Sequence, residues 1–66
     1  MTLKEKIQAA WNNKGNVLND LKKYELALES YDKCIEINPS NVDAWINKGN
    51  LYSEIKLLDL SNVLSE

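Results

Sequence analysis

The sequence predicts an all-α fold of antiparallel helix pairs, about four helices in all. Three observations carry that expectation. Apolar residues recur at spacings of three and four, the period of a helix with one buried face. The word WNNKGN at 11–16 returns as WINKGN at 45–50, 34 positions later. The single proline, Pro39, falls between the two copies.

The first helix is expected over about 3–19. Thr2 and Glu5 have the spacing of a capping box, and Leu3, Ile7, Ala10, Trp11 and Leu18 recur at helical intervals. Asn19-Asp20 offers a polar break. The second helix is expected over about 22–37. Tyr24, Ala27, Leu28, Tyr31 and Ile35 form its stripe, widened by Leu26 and Cys34. It stops at Asn38 because proline disfavours the helical conformation in the residue before it.

Ser40 to Asp43 can cap a third helix over about 41–54, with Val42, Trp45, Ile46, Gly49 and Tyr52 as candidate inner residues. A weaker fourth helix is expected over about 57–65, carrying Leu57, Leu60, Val63 and Leu64. Ser61 and Asn62 lower its propensity. Short connections within each pair make neighbouring helices antiparallel.

Composition narrows the function. A chain of 66 residues allows one small domain, which buries roughly 60% of its unfolded surface. Hydrophobic residues are 44% and charged residues 27%, the balance of a folded soluble chain. The net charge is −2, with +1 on residues 1–33 and −3 on the remainder. All eight basic residues are lysine and they form no basic patch, so nucleic acid is not an expected partner. No apolar run suits a membrane span or a signal peptide, and a cytoplasmic location is expected.

The parts of an enzyme are missing from the sequence pattern. There is no histidine, which removes the commonest general base and the commonest zinc ligand. One cysteine makes neither a disulfide nor a cysteine-rich metal site. Two glycines 34 positions apart make no phosphate loop. No catalytic residues, cofactor or metal are expected.

A 34-residue period of paired helices resembles the tetratricopeptide repeat. Trp11, Gly15, Ala27, Tyr31 and Pro39 fall at that family's Trp, Gly, Ala, aromatic and Pro spacings, and Trp45, Gly49 and Tyr52 match in the second copy. Lys14 and Lys48 replace a usual Leu, Leu18 a usual Tyr, and Cys34 a usual small residue. Overlaying 11–28 on 45–62 gives seven identities, after which the likeness decays. The division expected is one domain, 1–66, with a first repeat at 8–41 and a truncated second at 42–66. The mid-helix glycines are expected where the second helix of each pair approaches closely, with Ala27 the small residue across the contact.

The resemblance implies a non-catalytic protein–protein interaction module. In the family the first helix of each pair lines a concave surface. Asn12, Asn13, Asn16, Asn47 and Asn50 are the candidate peptide-binding residues there. An amide both donates and accepts, so it can pair with the N–H and C=O of an extended peptide. Asn13 and Asn47 hold positions similar to the asparagine ladder of O-linked N-acetylglucosamine transferases. The family's clamp for chaperone tails is matched only by Asn16 and Asn47, and Asn12 stands where a lysine is required. Asp20, Asp43 and Glu54 make the expected peptide neutral or basic. The alternative is structural: Leu57, Leu60, Val63 and Leu64 self-associate, making the chain a homodimer or part of a larger repeat array.

Overall fold

The computed structural model describes the backbone of residues 2–65 and the side chains of residues 2–60. It contains three helices: α1 Leu3–Asp20, α2 Tyr24–Ile37 and α3 Val42–Ser65. Among the described residues there is no strand. The all-α expectation holds, but the count of about four helices does not. The third and fourth expected helices are one continuous helix of 24 residues.

Local chemistry explains the difference. α1 starts on the expected capping box: the Glu5 amide donates to Thr2 Oγ1 at 3.2 Å and the Thr2 amide to Glu5 Oε2 at 3.3 Å. It ends because Lys22 takes a left-handed conformation, with φ of 63°. The Lys23 amide then reaches the Leu18 carbonyl at 2.8 Å, and that of Lys22 the Asn19 carbonyl at 2.9 Å. This is the Schellman closure, satisfying two carbonyls left over at the helix end. The equivalent stretch one repeat later, Ser53 to Leu57, contains no Asn, Asp or Gly. Nothing there competes with the helix, and α3 runs through.

Between α2 and α3 the chain extends at Asn38, as the following proline requires. The Ser40 amide donates to Asn38 Oδ1 at 3.1 Å. The cap of α3 is Asn41 rather than Ser40: its Oδ1 accepts from the Ala44 amide at 3.2 Å.

Packing follows the repeat. α1 and α2 run antiparallel, with Gly15 against Tyr31 and Gln8 against Cys34. α3 returns antiparallel to α2 and so lies parallel to α1. Asn41 bonds Gln8 and Asn47 bonds Asn12, offsets of 33 and 35 in sequence. The core is small: Ala27, Tyr31 and Leu51, flanked by Leu18, Tyr24, Leu28 and Ile55. Cys34 and Ala44 are also buried.

The inner residues expected for α3 are corrected. Val42, Trp45, Ile46 and Tyr52 are exposed, and Gly49 has nothing near it. Ala44 and Leu51 are the buried residues of that helix. In α1, Leu3 and Ile7 are likewise exposed, and Gly15 and Gln8 face inward. The molecule measures 50 × 21 × 13 Å with a radius of gyration of 13.3 Å. A compact chain of this length would have about 11 Å. The excess comes from α3, whose distal half continues past the hairpin.

Candidate functional site

The five asparagines expected to face a ligand separate into two roles. Asn47 Nδ2 donates to Asn12 Oδ1 at 2.7 Å, fastening α3 to α1. Asn16 Oδ1 accepts from the Tyr31 hydroxyl at 2.7 Å, which ties α1 to α2. Asn13 and Asn50 stand exposed. Three of the five candidates therefore hold helices together, each with part of its amide already committed. An amide has two donors and two acceptor lone pairs, so one bond leaves capacity for a ligand.

A second amide pair lies one turn away. Asn41 Nδ2 donates to Gln8 Oε1 at 2.9 Å. Gln8 is buried, its own Nε2 donates to the Lys4 carbonyl at 3.4 Å, and its backbone carbonyl accepts from Cys34 Sγ at 3.2 Å. Neither Gln8 nor Asn41 was among the expected site residues. Their 33-residue offset, almost one repeat, was the available signal.

Gln8, Asn41 and Asn12, three of these four amides, border an open cleft of about 270 Å³ between α1 and the start of α3. Glu5, Gln8, Ala9 and Asn12 line one wall, and Asn38, Asn41 and Asp43 the other. The charge on it is acidic, from Glu5 and Asp43. A larger hollow of about 470 Å³ lies along α1 and α2, with Trp11, Lys14, Leu18, Leu26 and Ser30 among its lining.

The lysines of the repeated word serve the scaffold. Lys14 Nζ sits 5.1 Å from the Trp11 ring centre. Lys48 Nζ lies 5.6 Å from the Trp45 ring and 5.8 Å from the Tyr52 ring, and pairs with Asp32 of α2 at 2.7 Å. That hydrogen bond is the main reason the Lys48 ammonium titrates above its ordinary range. Trp45 is half exposed, at 50%, and its indole N–H donates to the Pro39 carbonyl at 2.8 Å.

Of the expected self-association residues, Leu57 and Leu60 are exposed, at 66% and 51%. Val63 and Leu64 lie on the helical backbone of α3, but their side chains fall outside the described residues. Among the described residues no group of acids and cysteine is arranged to hold a metal. No helix of the described residues is long and apolar enough to cross a membrane.

Two comparisons bear on the family. A tetratricopeptide repeat model matches residues 9–41, and a second matches 30–61. No curated protein and no solved structure matches the chain. The first match covers the last two thirds of α1, all of α2 and the turn into α3, and so takes in Gly15, Ala27, Tyr31 and Pro39. The second begins within α2 and takes in most of α3. Such repeats are generally protein–protein interaction modules. With half its length matched by one model of the family and the adjoining stretch by another, the chain belongs to the tetratricopeptide repeat family.

Proposed function

We propose that this chain is a non-catalytic binding module that holds an extended, neutral or basic peptide along the amide-lined cleft between α1 and α3. The observation that carries the reading is the paired amides, Asn12 with Asn47 and Gln8 with Asn41. They fix the two helices side by side and present their remaining donors and acceptors at an open surface. Asn13, Asn16 and Asn50 continue the amide character along the same helices. An extended peptide offers one N–H and one C=O per residue, and an amide side chain matches both. Glu5 and Asp43 on the walls favour a basic peptide over an acidic one.

Affinity should be modest. Four amide contacts at a net ~0.5–1.5 kcal/mol each give about 2–6 kcal/mol. Association costs an estimated 4–15 kcal/mol. Two repeats alone therefore bind no tighter than roughly high micromolar.

The test is a titration of amide chemical shifts with a set of short extended peptides, neutral, basic and acidic. Shifts at Asn12, Asn38 and Asn41 with a basic peptide are expected, as is a weaker response to acidic ones. Asp43→Asn alters an exposed residue of the cleft wall outside the helix contacts, so it should weaken binding of a basic peptide without unfolding the chain. Sub-micromolar capture of an acidic tail, or shifts confined to α2, would refute the reading.

A further inference from the structure

The repeat used twice in this sequence is filled once. At Gly15 an added Cβ would come within 2.5 Å of Tyr31 Cε1, so the notch left by the missing side chain is occupied by the second helix of the pair. At Gly49 an added Cβ would meet nothing within 4 Å. The segment that would cover it instead continues away as the distal half of α3.

The open notch is part of a longer surface. At 100° per residue, Val42, Trp45, Ile46, Tyr52, Ser53, Leu57 and Leu60 all fall within about 80° of Gly49. The six large ones are at least half exposed. The buried Ala44 and Leu51 lie on the opposite side of the helix. So α3 has an inner apolar face against α2 and an outer apolar face against nothing.

We propose that this outer face pairs with its equivalent on a second copy, α3 against α3 antiparallel, so that the distal half of each helix covers the Gly49 notch of the other. A two-fold interface requires one surface to carry both the projection and the recess. The outer face of α3 does. With the axis at Ser53, Leu57 of one copy lies over Gly49 of the other, and Leu60 over Ile46. Ser53 meets itself, and its small side chain permits close approach. Lys56, on the stripe, faces Asn50 of the second copy, whose amide oxygen can accept from it, and Asp59 marks the stripe's edge. Lys48 borders the stripe, holding the Trp45 and Tyr52 rings in place.

The area suits a dimer. Six large side chains, each on the order of 200 Å² when free and here half or more exposed, leave on the order of 600–700 Å² for burial. A standard interface takes ~800 Å² per partner. Asn47, which bonds Asn12, lies about 160° around α3 from Gly49, while Asn50 adjoins the stripe and belongs to the pairing rather than to the cleft. The pairing therefore stands independently of the peptide cleft, and sets two clefts in one assembly.

The experiment is sedimentation equilibrium of the whole chain, together with oxidation of Ser53→Cys. A dimer is expected, with a melting temperature that rises with concentration. The Leu57→Lys, Leu60→Lys double variant changes residues already exposed in the single chain, and should weaken association at least a hundredfold. Ser53→Cys should form a disulfide-linked dimer in air, while Lys33→Cys, exposed on α2, should not; the native Cys34 is buried and stays reduced. A monomer at every concentration overturns the proposal. So does a dimer indifferent to both lysines, or one in which Lys33→Cys cross-links and Ser53→Cys does not.

Discussion

Gly15 and Gly49 occupy the same place in the repeated word and should respond oppositely to alanine. At Gly15 the new methyl meets the Tyr31 ring, which is 1% exposed and hydrogen-bonded to Asn16. Such a ring has little room to move, and overpacking of this kind costs about 1–3 kcal/mol. At Gly49 the methyl meets open space. There, replacing a mid-helix glycine gains about 1 kcal/mol of helix propensity. Urea denaturation of Gly15→Ala and Gly49→Ala in dilute solution checks both signs. The sequence held the clue to the asymmetry. Position 31 is tyrosine, and its equivalent 34 residues on is Ser65, too small to fill a glycine notch. Reading the word alone made the two glycines look equal, and also placed Ala27 across Gly15 where the ring of Tyr31 lies. Tyr31 carries a second prediction. Burial first, and then the charge of Asp20, lift its phenol above its ordinary value near 10, and burial lifts the Cys34 thiol above 9. Both groups bind their protons more tightly folded than unfolded. Their stabilisation is complete below the unfolded values and is lost as pH rises past them. The melting temperature should therefore hold level through neutral pH and fall above about 9. A melting temperature that climbs through that alkaline range would contradict the burial of both groups.

At the scale of the element, the ends of the helices decide the architecture. Lys22 holds a left-handed backbone without being glycine, a conformation that strains a side chain bearing a Cβ by roughly 1–2 kcal/mol. Lys22→Gly should relieve most of that strain and stabilise the chain by about 1 kcal/mol, with the Schellman closure intact. A drop in the denaturation midpoint would show that the lysine stem supports the turn. Asn41 does two jobs, capping α3 and bonding Gln8 of α1. Asn41→Ala should cost more than the ~1 kcal/mol of a simple cap. Asn41→Asp keeps the capping oxygen and loses the donor to Gln8, so the difference between the two variants isolates the bridge. One start and one stop were readable from the residues: the Thr2 and Glu5 box that opens α1, and the extended Asn38 before Pro39 that ends α2. The missing stop was readable too, since no turn residue separates Ser53 from Leu57. A separate fourth helix was expected over about 57–65 from the spacing of Leu57, Leu60, Val63 and Leu64, although no residue before it breaks the third. Those residues are helical as expected, and with no stop before them they continue α3.

At the scale of the whole molecule, the question is whether so small a core folds as one unit. A chain of 66 residues has a total stability of roughly 3–10 kcal/mol at the usual 0.05–0.15 per residue. α3 reaches the hairpin through Leu51, which is 0% exposed against Ala27 and Tyr31, through the Lys48–Asp32 pair, and through the two amide bridges. The ion pair adds little, since the Asp32 side chain is half exposed and such pairs contribute ~0–1 kcal/mol. Leu51 is the contact that matters. Leu51→Ala removes about 2–5 kcal/mol, comparable with everything available. The hairpin of α1 and α2 cannot stand in for the whole, because without Leu51 the ring of Tyr31 loses one wall of its site. Release of α3 should therefore unfold the chain rather than leave a stable pair of helices. Single-tryptophan variants report the two ends separately: Trp45→Phe leaves Trp11 on α1, and Trp11→Phe leaves Trp45 on α3. Their fluorescence transitions in urea should coincide with each other and with the loss of helical circular dichroism, as cooperative unfolding requires. In Leu51→Ala both should shift to near-zero denaturant together. If Trp11 kept a transition after Trp45 had lost its own, the first repeat would be folding alone, and the second would be an appendage rather than part of the core.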